Sequence, residues 1–159
     1  MKFRLYQSYY LLAAVLLIAA MCGSVLRVLA ENGATYIINN FSLVKPDSAV
    51  SYSVVALGVV LVVAVAVNAF GLFVSLFSNF ELQKRSSILS MLLLTGYYIL
   101  LFFYTLLLIN SDESLVTISL ETAIMFPFTA IVLNLLSFFS ARRTEAKILA
   151  KATGFRLRD

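Results

Sequence analysis

This 159-residue chain has no histidine and no tryptophan, a single cysteine, two prolines and six glycines. Without histidine it lacks the commonest metal ligand and the side chain that ordinarily moves protons near neutral pH. One cysteine, Cys22, excludes an intramolecular disulfide, a CxxC redox pair and a cysteine-rich metal site. No cofactor is expected. Without tryptophan, aromatic belts at a membrane surface have to be built from the eight tyrosines and thirteen phenylalanines. Charge is scarce too, at 13% of residues, where soluble domains carry about 25%.

What the chain has in quantity is apolar surface. Hydrophobic residues make up 62% of it, above the ~45–50% of soluble domains, and the mean hydropathy is +0.97. Four long apolar stretches lie at about Tyr9–Leu26, Val50–Phe77, Ile88–Ile109 and Val116–Phe139. Each is long enough to cross a bilayer, since about 20 helical residues at ~1.5 Å span a ~30 Å hydrocarbon core. Lipid cannot satisfy backbone polar groups, so spans are helices or closed barrels. These runs lack the alternation of barrel strands. The expected fold is therefore an all-α membrane protein, a four-transmembrane-helix bundle with helices at about 9–28, 50–77, 88–109 and 116–140. A cytoplasmic tail, 141–159, completes a single membrane domain over 1–159.

The net charge of +4 does not point to nucleic acid, because the cations cluster beside the spans, where orientation rules and anionic lipids account for them. Lys2, Arg4, Lys84, Arg85, Arg142, Arg143, Lys147, Lys151, Arg156 and Arg158 fall on one side, ten of the twelve cations. Arg27 and Lys45, with Glu31 and Asp47 and the Asp112–Glu113 turn, fall on the other. The positive-inside rule then places both termini and the 78–86 connection in the cytoplasm. Lys2 and Arg4 before an apolar run, with Ala19-Ala20-Met21-Cys22 after it, also fit a signal peptide, including a lipoprotein one. Met21 stands where such processing prefers a small residue, and the segment is read as a retained helix. In the outer loop at 30–49, Thr35–Ile38 and Phe41–Val44 are β-prone about Asn39-Asn40, which allows either a hairpin or an irregular surface loop. Pro46 and Asp47 mark the approach to the second helix, with Asp47 or Ser48 as its cap.

Polar side chains inside spans are costly and draw the closest reading. Placed by helical rise, Arg27 on helix 1 and Glu121 on helix 4 share a depth ~12 Å outward of the midplane, which makes them a candidate intramembrane ion pair. The alternatives are separate snorkelling to the headgroups, or a proton or cation site at Glu121. Asn68, Thr95 and Asn134 come out together about 5–8 Å inward of the midplane. They form a candidate polar layer, either a structural hydrogen-bonded level or a small ligand cavity. Pro127, mid-span in helix 4, is expected to kink it. The small pairs Ala19/Gly23 and Gly71/Ser75 permit close helix contact. Past Ser140, Ile148, Leu149, Ala152 and Phe155 form an apolar stripe. Arg142, Arg143, Lys147, Lys151, Arg156 and Arg158 make this a short amphipathic basic C-terminal helix, suited to anionic headgroups or to a cytoplasmic partner.

The run Phe126-Pro127-Phe128-Thr129-Ala130-Ile131-Val132-Leu133-Asn134-Leu135-Leu136, the Arg142-Arg143-Thr144-Glu145 segment and the closing Lys151–Arg158 resemble an uncharacterised family. That family comprises small four-helix inner-membrane proteins of Bacteroidetes bacteria, a domain of unknown function. The opening Arg4…Tyr9 with Leu11-Leu12 is similar as well. The resemblance implies an inner-membrane address and four helices, and brings no activity. The residues themselves leave three classes of function. The first is a non-enzymatic accessory or scaffold subunit binding other membrane proteins or a second copy. The second is a small transporter or lipid-handling protein using Glu121/Arg27 or the Asn68–Asn134 level. The third, a membrane enzyme, has too sparse a set of acid-base groups.

Overall fold

The computed structural model describes residues 5–30, 35–44, 52–77, 79–111 and 115–152. Lys2, Arg4, Lys45–Ser48, Asp112–Glu113, Arg156 and Arg158 therefore lie outside the described residues. Four helices carry the chain: α1 (Leu5–Cys22), α2 (Val55–Leu76), α3 (Phe80–Ser111) and α4 (Met125–Ala152). All four are long and apolar enough to cross a membrane. Each packs on two neighbours, in the ring α1–α2–α3–α4–α1, and successive helices run in opposite directions.

The bundle is organised for an apolar surround. Leu11, Leu12, Val15 and Ile18 on α1, Val59, Val62, Phe70 and Phe73 on α2, and Ile99, Phe102 and Phe103 on α3 point outward and are exposed. Small or polar residues sit inside: Ala13, Ala64, Asn68, Ser90, Ala130 and Asn134 are buried. In lipid there is no hydrophobic gain from bringing apolar helices together, so close packing of small residues and interhelical hydrogen bonds hold the bundle.

The structure corrects the all-α expectation. Between the helices at one end lies a five-stranded antiparallel sheet in the order β4-β3-β2-β1-β5. Its strands are β1 (Ser24–Ala30), β2 (Thr35–Asn39), β3 (Ser42–Val44), β4 (Tyr52–Ser53) and β5 (Leu115–Leu120). Helix α1 thus stops at Cys22 rather than at 28, and α4 begins at Met125 rather than at 116. Valines and β-branched residues in Val25–Val28 and Val116–Ile118 extend the apolar runs while favouring strand over helix. Leu26 pairs with Ile38 and Val28 with Tyr36; all four are buried, whereas Arg27 and Leu29 between them are exposed. One face of the sheet therefore closes the end of the bundle core, continuous with Leu17, Leu57 and Leu61. A register shift between Ser24 and Leu26 turns both Val25 and Leu26 inward, the usual effect of an extra residue in a strand.

At the opposite end, α1 begins, α2 meets α3 and α4 finishes. Most of the connection expected at 78–86 is helix: Asn79 caps α3, its Oδ1 accepting the Leu82 N–H at 3.3 Å as N-cap side chains do. The basic C-terminal segment is not a separate helix either. Through Ala152 it is the last turns of α4, which at ~1.5 Å per residue is about 42 Å long and outreaches a hydrocarbon core.

Candidate functional site

Three levels of polar side chains cross the molecule. At the sheet, Arg27 lies on β1 and Glu121 directly follows β5. The two strands pair Arg27 with Ser119, Ser119 Oγ donates to the Arg27 carbonyl at 2.9 Å, and the Glu121 N–H donates to the Val25 carbonyl at 3.1 Å. This ladder brings Arg27 Nε to 2.9 Å from Glu121 Oε1, with the side chains 51% and 30% exposed. The two residues meet across strands rather than between helices 1 and 4. At that exposure such a pair is worth about 0–1 kcal/mol, and it pins a strand register more than it supports the fold.

Just beneath, the β2–β3 hairpin turns at Asn40-Phe41 and drives its tip into the bundle. Asn40 is fully buried. Its Nδ2 donates to the Ala20 carbonyl at 2.7 Å, near the end of α1, and its Oδ1 accepts from Tyr97 Oη of α3 at 2.8 Å. Phe41 lies over Gly58 of α2, where a Cβ would overlap its ring. Gly23 is in similar contact: a Cβ there would come 2.6 Å from the Ala123 methyl, so the α1–β1 junction depends on its missing side chain.

The middle level contains Asn68 on α2 and Asn134 on α4, joined by Ser90 on α3. Both Nδ2 groups donate to Ser90 Oγ, at 2.8 and 3.1 Å, and each also donates to the carbonyl four residues back, Ala64 at 2.8 Å and Ala130 at 2.9 Å. Thr95, expected in this layer, is exposed and its hydroxyl donates to the Met91 carbonyl of its own helix. Ser90 takes its place.

The third level lies toward the opposite end, and depth reasoning on the sequence missed it. Tyr10 Oη of α1 donates to the Gln83 carbonyl at 2.6 Å and shares hydrogen bonds with Ser86 Oγ at 3.1 Å and Ser87 Oγ at 2.5 Å. Gln7 Nε2 donates to the Ser75 carbonyl of α2. The Tyr10 ring fits because position 71 is glycine: a Cβ there would meet Ser86 Oγ and Tyr10 Cε1, each at 2.7 Å. Beyond it, Lys84 Nζ of α3 is 2.8 Å from Glu145 Oε2 of α4, and Arg142, Arg143, Lys147 and Lys151 are exposed beside exposed Ile148 and Leu149.

Pro127 does not sit mid-helix. It is the third residue of α4, after a 3-10 turn at Thr122–Ile124. In the first helical turn the missing N–H has no intrahelical acceptor to lose, so proline suits the start of this helix, and the reason to expect a kink there falls away. Among the described residues, no three His, Cys, Asp or Glu side chains are grouped as for a metal ion.

The sequence matches the profile of a family described as a domain of unknown function, DUF4293, over residues 5–146. No curated protein matches the chain.

Proposed function

Because the chain belongs to the DUF4293 family, whose description assigns no activity, its role has to come from its own residues, and we propose that it is a non-enzymatic accessory or scaffold subunit of the bacterial inner (cytoplasmic) membrane that binds other membrane proteins. The observation that carries this reading is strand β5. Among the described residues it is an edge strand, hydrogen-bonded to β1 on one side only, and its sequence Leu115–Leu120 has no charge and no proline. Ile118 and Leu120 are 41% and 66% exposed. Edge strands are ordinarily guarded by lysine, proline or short length; an unguarded one is a template to which a partner can add a strand.

The orientation belongs to the same proposal. An open sheet edge does not occur in lipid, which puts the sheet beyond the hydrocarbon on one side. The described cations of the opposite end, Lys84, Arg85, Arg142, Arg143, Lys147 and Lys151, argue that this other side is cytoplasmic. There Arg142, Arg143, Lys147 and Lys151 meet anionic headgroups, each worth ~1 kcal/mol near such a surface. The resemblance to Bacteroidetes inner-membrane proteins supports the address. A second reading, a small transporter or lipid-handling protein, is favoured by one observation: buried amide oxygens at Asn68 and Asn134 that lack a partner.

The two readings separate on affinity purification of the tagged protein from its native membrane in mild detergent, followed by mass spectrometry. A membrane protein recovered at near-equal amounts, and lost with Leu120→Lys while the subunit itself is still recovered, is the expected result. A clean monomer, or a partner indifferent to Leu120→Lys, contradicts docking at β5.

A further inference from the structure

The inward face of α3 carries Gln83, Ser86, Ser87 and Ser90, spaced i, i+3, i+4 and i+7, and all four are buried. They form one stripe that runs about 10 Å along the helix, from the end where α2 meets α3 to the middle of the bundle. Tyr10, Asn68 and Asn134 meet it from the other three helices. Deeper along the same face comes Leu94, in an apolar layer with Leu17, Leu61, Ala64 and Ala130. The stripe is blind.

Its hydrogen bonds do not close. The Nδ2 of Asn68 and of Asn134 each reach two acceptors, the carbonyl four residues back and Ser90 Oγ. Those carbonyls accept only from N–H, which fixes the amide orientation and leaves both Oδ1 atoms over. Gln83, with no exposed surface, has no protein partner for Nε2 or Oε1. Among the described residues these four are the buried side-chain nitrogen and oxygen atoms without a partner, and all four belong to this stripe. An unpaired buried polar atom carries the full cost of its lost hydration, so four along one line point to an occupant. Among the described residues the charged pair nearest the stripe, Lys84 and Glu145, is closed on itself, which leaves the stripe itself uncharged. The demand is for donors to three oxygens and an acceptor for one amide.

We propose that this stripe is a binding site for small neutral hydroxyl-bearing molecules. Gln83 and the asparagine pair are about 10 Å apart along the axis, beyond the reach of one water, so at least two waters or the hydroxyls of a polyol headgroup fill it. The site stands independently of partner docking at β5.

The test is nuclear magnetic resonance of the side-chain amides, with the full chain in phosphatidylcholine nanodiscs and, separately, in phosphatidylglycerol nanodiscs. Cross-peaks from the Gln83, Asn68 and Asn134 NH2 groups to water in phosphatidylcholine are the expected result. Cross-peaks to headgroup glycerol, confined to phosphatidylglycerol, support the same chemistry with lipid as its source. Gln83→Leu should remove its own contacts and keep those of the asparagines, and Asn68→Leu should do the reverse. Amides silent toward both water and glycerol overturn the proposal. So do asparagine signals that move when sodium replaces choline as the salt, without water contacts, since that describes a cation site.

Discussion

Gly71→Leu is expected to lower the melting temperature of the detergent-solubilised protein by about 6–12 °C. The new Cβ would stand 2.7 Å from both Tyr10 Cε1 and Ser86 Oγ. Tyr10 cannot give way, because it is fully buried and its hydroxyl is held at Gln83, Ser86 and Ser87. Overpacking of this kind costs about 1–3 kcal/mol, and leucine belongs at the upper end. For a chain of this size each kcal/mol moves the midpoint by roughly 2–4 °C. Gly96 supplies the control, since a Cβ there meets nothing within 4 Å. Gly96→Ala should leave the protein unchanged or raise its stability by roughly 0.5–1 kcal/mol, the helical advantage of alanine. Equal melting of Gly71→Leu and Gly96→Ala would show that α1 and α3 do not meet through Tyr10.

The second large effect is expected at the tip of the β2–β3 hairpin. Asn40→Leu leaves Tyr97 Oη without its acceptor and Ala20 without its side-chain donor, both within the core. The Ala20 carbonyl keeps the Gly23 N–H at 3.3 Å, so one buried group is left unpaired and the loss should be about 1–3 kcal/mol. Hydrogen exchange should quicken across 35–44, the segment released from the bundle. Adding Tyr97→Phe should recover part of the loss, because removing both partners of a buried hydrogen bond costs less than stranding one. If the single and double variants fall by additive amounts, Asn40 and Tyr97 are not coupled and the hairpin does not lock the bundle.

The four helices were legible because the apolar runs are long, and the error lay at their ends. Ser24–Ala30 continues the hydropathy of α1, so only Gly23 and the valines after it marked the change to strand. Leu115–Leu120 hid in the same way ahead of α4, and the turn at Thr122–Ile124 moved Pro127 from mid-span to a helix start. Placed on helices, Arg27 and Glu121 share one depth, yet they stand together because two strands pair. Depth without rotation explains the miss at Thr95. It lies five residues from Ser90, about 140° around a helix of 3.6 residues per turn, and so faces away from Asn68 and Asn134. Tyr10, Gln83, Ser86 and Ser87 carry no charge, so depth and charge alone do not single them out. The i, i+3, i+4, i+7 spacing of Gln83, Ser86, Ser87 and Ser90 is the signal that the sequence offers.

The proposed orientation sets the sheet on one side of the membrane and the α2–α3 turn on the other. Single cysteines in a Cys22→Ser background test it, at exposed Thr117 on β5 and exposed Glu81 at the start of α3. They are treated with a membrane-impermeant thiol reagent on spheroplasts and again after permeabilisation. Thr117→Cys is expected to react in intact spheroplasts, while Glu81→Cys should react only once the membrane is opened. Labelling of both positions in intact spheroplasts, or of Glu81→Cys alone, would contradict it.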